Sequence, residues 1–177
     1  MRFIGDPLTR IAEDHLRILR FFRFQARFGT GAPDAAAITA CAARANDLMA
    51  LSRERIADEL LKLLALTDPG ATIRSMIALG IFRPVIPEIA GEGADRLTAL
   101  VGAEAAAGIA PAALRRLSAL LPASAEVAQA VASRLKLSNA ARRRLMLACE
   151  AAGDPEEMAY RVGMESAIDR LLLTGDA

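Results

Sequence analysis

Arginines that return every three residues inside an apolar segment mark the start of this chain as a helix. In the stretch EDHLRILRFFR, positions 13 to 23, Asp14, Arg17, Arg20 and Arg23 keep that interval, and Arg10 and Arg27 extend the basic side in both directions. At about 100° per residue, Ile11, Ile18, Leu19 and Phe22 share one arc, whereas Arg17, Arg20, Arg23 and Arg27 fall opposite, with Asp14 at the boundary. Like charges at this spacing repel mildly and add little to the helix. The ladder therefore points to an anionic partner.

The remainder of the chain has a helical texture. Of 177 residues 54% are hydrophobic but only 4% aromatic, alanine and leucine dominate, and no useful β-branched alternating run occurs. This composition predicts an all-α fold, a multi-helix bundle array. The first helix is expected over residues 9 to 28, stopped by the glycine and proline run that follows. Asp34 caps a second over 35 to 46. Ser52 caps a third with Ile56, Leu60, Leu63 and Leu64 facing inward. Asp68 and Pro69 open a fourth, which Gly80 ends. Beyond residue 93, short Ala-rich segments at about 94–107, 111–121, 124–135, 139–152 and 155–172 read as a tail bundle of antiparallel neighbours.

Charge is local rather than global. The formal net charge is +1, which excludes a wholly basic nucleic-acid glove. Residues 1 to 30 nevertheless hold six arginines against Asp6, Glu13 and Asp14. Arg142, Arg143 and Arg144 form a second basic spot behind the cap residue Ser138, and Arg115 with Arg116 a weaker third. Cys41, Cys149 and the single His15 lack metal-ligand spacing and read as core residues. No signal peptide is apparent and no apolar run reaches about 18 residues, so a cytoplasmic, membrane-free setting is expected.

The acid in the arginine ladder suggests more than phosphate binding. A carboxylate only accepts hydrogen bonds and a guanidinium only donates them. Asp14 and Arg17, a turn apart, would match the amino donor and ring-nitrogen acceptor that adenine and cytosine share. Guanine and uracil reverse that pattern and would leave buried groups unmatched, a strong basis for rejection. Arg20 and Arg23 would then serve a triphosphate. The same spacing also reads as ordinary surface ion pairing, worth about a few tenths of a kcal/mol.

Residues 2 to 29, RFIGDPLTRIAEDHLRILRFFRFQARFG, resemble the neck of bacterial class II tRNA nucleotidyltransferases and poly(A) polymerases, with Arg2, Phe3, Gly5 and Pro7 as its lead-in. LSRERIADELLKLL at 51 to 64 and GIFRPVIPEI at 80 to 89 are similar to later segments of that family in the same order. The resemblance is specific through residue 89 and weak beyond. It implies a neck over residues 1–30, an RNA-binding body over 31–90 and a tRNA-binding tail over 91–177. It also implies base templating by Asp14 and Arg17, nucleotide contacts by Arg20 and Arg23, and a lesser role for Glu13. ATP, CTP and tRNA are the implied partners, and the tail arginines Arg142, Arg143 and Arg144 would meet tRNA phosphates, with a solvated basic face as the other reading.

The family's α/β head, with its Gly-Ser turn, Asp-x-Asp pair and Arg-Arg-Asp motif, has no counterpart in these residues. Mg²⁺ would belong to that head. The expectation is thus a base-selecting and tRNA-binding portion, the C-terminal half of an enzyme adding CCA or A to tRNA 3′ ends, inactive without its catalytic partner. A non-enzymatic helical RNA-binding module is the alternative.

Overall fold

The computed structural model describes residues 1–149 and 163–175, and among them every regular element is helical. In chain order these are α1 (Pro7–Glu13), α2 (Arg17–Phe28), α3 (Ala35–Ala43), a 3₁₀ segment (Ala45–Ala50), α4 (Arg53–Leu64), α5 (Gly70–Ala78), α6 (Gly91–Ala106), α7 (Ala113–Leu120), α8 (Ala125–Arg134), α9 (Asn139–Cys149) and α10 (Met164–Thr174). The all-α expectation holds. Expected helical positions 150–152 and 155–162 lie outside the described residues.

The continuous helix expected over residues 9 to 28 is instead two helices. Asp14 is extended, with φ −155° and ψ 105°, and its Oδ1 accepts the Leu16 amide at 3.1 Å. A short side chain that captures a nearby N–H competes directly with the helix ladder. The break also has a packing cause. On an unbroken helix Leu16 would share the arginine arc, whereas after the kink it is 2% exposed. Ile11, Ile18, Leu19 and Phe22 are all buried as the periodicity requires, and Phe21 joins them, stacked on Phe3 with ring centroids 5.3 Å apart.

The expected caps are in place. The Asp34 side chain accepts from Ala36, Ser52 from Arg55 and Ser138 from Ala141. Asp68 Oδ1 accepts the Gly70 amide at 3.0 Å, and Gly80, at φ +71°, closes α5 while the Ile81 amide reaches back to the Met76 carbonyl. The second helix stops at Ala43, short of residue 46, and continues as the 3₁₀ segment. Ile56, Leu60, Leu63 and Leu64 face inward. One hydrophobic cluster runs from Ile11 through Cys149, so helices from both ends of the described 1–149 stretch share a core. Cys41 and Cys149 are both buried in it, and burial pushes the Cys41 thiol up to about 12.

Gly93 sets the approach of α6 to α7. A Cβ there would stand 3.0 Å from the backbone C and Cα of Leu120 and nearer still to its carbonyl oxygen. Backbone cannot yield as a side-chain tip can, so Gly93→Ala is expected to lower stability by about 1–3 kcal/mol, read as a lower urea midpoint.

Arg115 and Arg116, expected as a weak basic spot, are interior residues, at 3% and 1% exposure. Both bind the buried Glu104 carboxylate, with Arg115 Nε on Oε1 and Arg116 Nε on Oε2, each at 2.8 Å. Arg116 also donates to the carbonyls of Leu64, Leu66 and Thr67, where α4 ends. Burial of so much charge is tolerable only because each group is paired and hydrogen-bonded.

Candidate functional site

The α1–α2 break and the first half of α4 gather the charged residues of the arginine ladder and their partners. Asp14 and Arg17, expected as one donor–acceptor pair, have different partners. Arg17 Nη1 donates to Glu13 Oε2 and, at 2.7 Å, to the Arg10 carbonyl. Glu13 also takes Arg10 Nη1 at 2.6 Å. The Arg17 hydrogen bond, with Arg10's charge in the same sense, holds the Glu13 carboxyl below the usual carboxylate range. Asp14 is held from α4, where Arg55 Nη2 lies 3.1 Å from Oδ1 and 3.2 Å from Oδ2. Arg20 Nη1 reaches Oδ2 at 3.5 Å. Asp14 and Arg17 are half-buried, so neither is withdrawn from a ligand.

Arg20 and Arg23 are anchored from beneath. Glu59, 4% exposed on α4, accepts Arg20 Nε on Oε1 at 3.1 Å and Arg23 Nε on Oε2 at 2.7 Å. Contact through Nε leaves terminal N–H groups of both guanidiniums for an anion. Arg23 additionally lies over the Phe24 ring, 4.4 Å from its centroid, as Arg27 lies over Phe28. Glu59 and Arg55 are the site residues that sequence reasoning missed. The signal for Glu59 was present, because it lies three residues after Ile56 and four before Leu63, on the buried arc of its helix.

A cavity of about 320 Å³ opens beside these groups, with Arg10, Arg17 and Arg20 among its cationic lining and Phe3, Phe21 and Phe24 among its aromatic lining. Arg20 links that cavity to the Asp14 carboxylate. His15, expected as a buried core residue, is half-buried at the break, with Nδ1 3.6 Å from Asp47 Oδ2. The departure follows from the kink, which turns Leu16 rather than His15 fully inward.

The tail arginines divide by environment. Arg144 commits its guanidinium to α10, with Nε 2.6 Å from Asp169 Oδ2, Nη2 3.0 Å from Oδ1 and Nη1 2.8 Å from Glu165. Arg143 is exposed and Arg142 half-buried. Arg143 and Arg144 line an open cavity of about 800 Å³ with Ser138, Glu165 and Ser166. Among the described residues no group of three or more His, Cys, Asp or Glu is arranged to hold a metal ion. None of the helices described is long and apolar enough to cross a membrane.

The family model described as the probable RNA and SrmB-binding site of polymerase A matches residues 34–92. The mitochondrial CCA tRNA nucleotidyltransferase 1 of Danio rerio is 37% identical over 83 residues, which cover 46% of this chain and 19% of that protein. A multifunctional CCA protein of Xanthomonas campestris is 37% identical over 93 residues, 50% of this chain and 22% of that one. The chain thus spans about a fifth of the length of these curated relatives. Two solved structures of CCA-adding enzyme, one with ATP and one with CTP, share the fold over 94% of this chain and 45% and 44% of theirs. Their TM-scores are 0.66 and 0.68 at 18% and 20% identity. Residues 34–92 thus match that family model, about half of the chain is similar in sequence to CCA tRNA nucleotidyltransferases, and its fold is shared with solved CCA-adding enzymes.

Proposed function

We propose that these residues select the nucleotide base and hold tRNA for an enzyme that extends tRNA 3′ ends from CTP and ATP, while a separate head performs the transfer. The observation that carries this reading is the cavity of about 320 Å³, with its arginine and phenylalanine lining, of which Arg20 lies 3.5 Å from the half-buried Asp14 carboxylate. Its cations suit a triphosphate and its rings suit the flat face of a base. Asp14 supplies the acceptor for an exocyclic amino group. Arg17, anchored through a single Nη1 to Glu13 and the Arg10 carbonyl, keeps its other N–H groups for a ring nitrogen. Arg20 and Arg23, steadied by Glu59, contact phosphate. The segment assignments follow: residues 1–30 as neck, 31–90 as RNA-binding body and 91–177 as tRNA-binding tail.

The reading is tested by joining the chain to the catalytic head of a related CCA-adding enzyme and supplying tRNA with each nucleotide separately. Incorporation of C and A, with G and U rejected, is the expected result; indifference to the base overturns it. In the tail, Arg143 is exposed and free for phosphate. Arg143→Ala is expected to weaken tRNA binding about two- to fivefold, lower the slope of log affinity against log salt by about one unit, and leave base choice unchanged. An unaltered salt slope would remove Arg143 from the RNA contact.

A further inference from the structure

The grip on Asp14 is unequal, and the inequality shows which of its hydrogen bonds is free to open. A carboxylate has about four acceptor positions. Asp14 Oδ1 takes the Leu16 amide and Arg55 Nη2, both at 3.1 Å. Oδ2 takes Arg55 Nη2 at 3.2 Å and Arg20 Nη1 at 3.5 Å. The Leu16 amide is main chain, fixed by the turn that begins α2. Arg55 spans both oxygens with one nitrogen and so opposes rotation of the carboxylate, and its guanidinium has no other hydrogen bond among the described residues. The Arg20 contact stands at the outer limit of a hydrogen bond. Arg20 is independently anchored through Nε to buried Glu59, so it loses least by letting go.

We propose that Arg55 is the positioning residue of the base-reading aspartate: with the Leu16 amide it fixes the Asp14 carboxylate, and withdrawal of Arg20 alone opens Oδ2 to an incoming amino group. This rests on the role given to Asp14 above and deepens it. Base choice is then set jointly by two helices, α2 carrying the donors and α4 setting the plane of the acceptor. A carboxylate released from Arg55 turns toward Arg20 and presents no fixed acceptor, so the distinction between an amino group and a carbonyl weakens.

Arg55 is 48% exposed, and removing its side chain beyond Cβ leaves the neighbouring core residues Ile56 and Leu60 in place. The test uses the 177-residue chain and NMR. In Arg55→Ala the Leu16 amide, which reports on Oδ1, is expected to shift upfield and exchange faster with solvent. Titration with millimolar ATP, CTP, GTP and UTP should then show the preference for the first two falling about tenfold. Arg55→Lys, a single-point donor, should recover part of both effects, which a purely structural loss would not allow. An unchanged Leu16 amide in Arg55→Ala overturns the proposal whatever the nucleotides do. So does a shifted amide with the base preference intact, or tighter ATP and CTP binding, which would make Arg55 a competitor. Failure of the underlying reading looks different: Asp14→Ala would then leave the preference untouched.

Discussion

Arg116→Met is expected to lower folding stability by about 3–5 kcal/mol, the usual cost of removing one partner from a buried ionic set. Arg116 is 1% exposed and serves four acceptors: the Glu104 carboxylate and the carbonyls of Leu64, Leu66 and Thr67. Methionine fills much of the volume but donates nothing. Carbonyls at the end of α4 and half of a buried carboxylate would lose their partner, each at a cost near that of stripping a group of water without replacement. Since small proteins are stable by only about 5–15 kcal/mol, the loss is expected to bring the urea midpoint down by about a fifth or more with little change in slope. The matching change Glu104→Gln removes the charge that pairs two buried guanidiniums and sets an amide donor against one of them, so a comparable cost is expected. A midpoint for Arg116→Met indistinguishable from the parent would show that this network is slack and that apolar packing alone joins the tail to the body.

That network also shows where the sequence stopped being informative. Periodicity identified the apolar arcs of α2 and α4, and the chemistry of Asp34, Ser52, Ser138 and Gly80 marked helix ends, because these signals act within a turn or two of the residue that carries them. Arg115 and Arg116 carried no such local signal. Their partners Glu104 and Asp169 stand 11 to 54 residues away, and adjacent arginines in a polar-looking segment read as surface. The α1–α2 break was written more faintly. Leu16 fell among the arginines of an idealised wheel, and Asp14 is a residue type that captures backbone N–H groups, yet the apolar arc on either side fits an unbroken helix equally well.

The candidate site was legible in membership rather than in pairing. Asp14, Arg17, Arg20 and Arg23 do gather around one end of α2, as their interval requires. Their partners come from elsewhere. Glu13 takes Arg17, Arg55 takes Asp14, and Glu59 takes both Arg20 and Arg23. A regular helix would have set Asp14 and Arg17 side by side; the extended backbone at Asp14 turns its carboxylate toward α4. Under the proposed function, base reading would therefore require a small redistribution of hydrogen bonds, with the longest contact, that of Arg20 at 3.5 Å, giving way first.

Removal of the Asp14 carboxylate gives the other large expected effect. Discrimination that rests on unmatched buried polar groups is worth far more than a few missing van der Waals contacts, up to about 10⁴-fold or more in sites built for it. In the chain joined to a family head, Asp14→Ala should therefore reduce the ratio of A and C to G and U incorporation by about a hundredfold or more. Overall turnover with the best nucleotide should fall less, since in the proposed arrangement Arg20 and Arg23 would still hold phosphate. Asp14→Asn is the sharper control, because an amide offers both donor and acceptor and can turn to meet a carbonyl; it should admit G and U while retaining A and C.

Single-nucleotide incorporation by the parent, Asp14→Ala and Asp14→Asn proteins tests the central claim most directly. A steep A and C preference in the parent, collapsed in the alanine variant and broadened in the asparagine variant, is the predicted result. Three ratios agreeing within about twofold, too small a spread for a lost buried hydrogen bond, would contradict it and leave Asp14 as the residue that breaks and caps a helix.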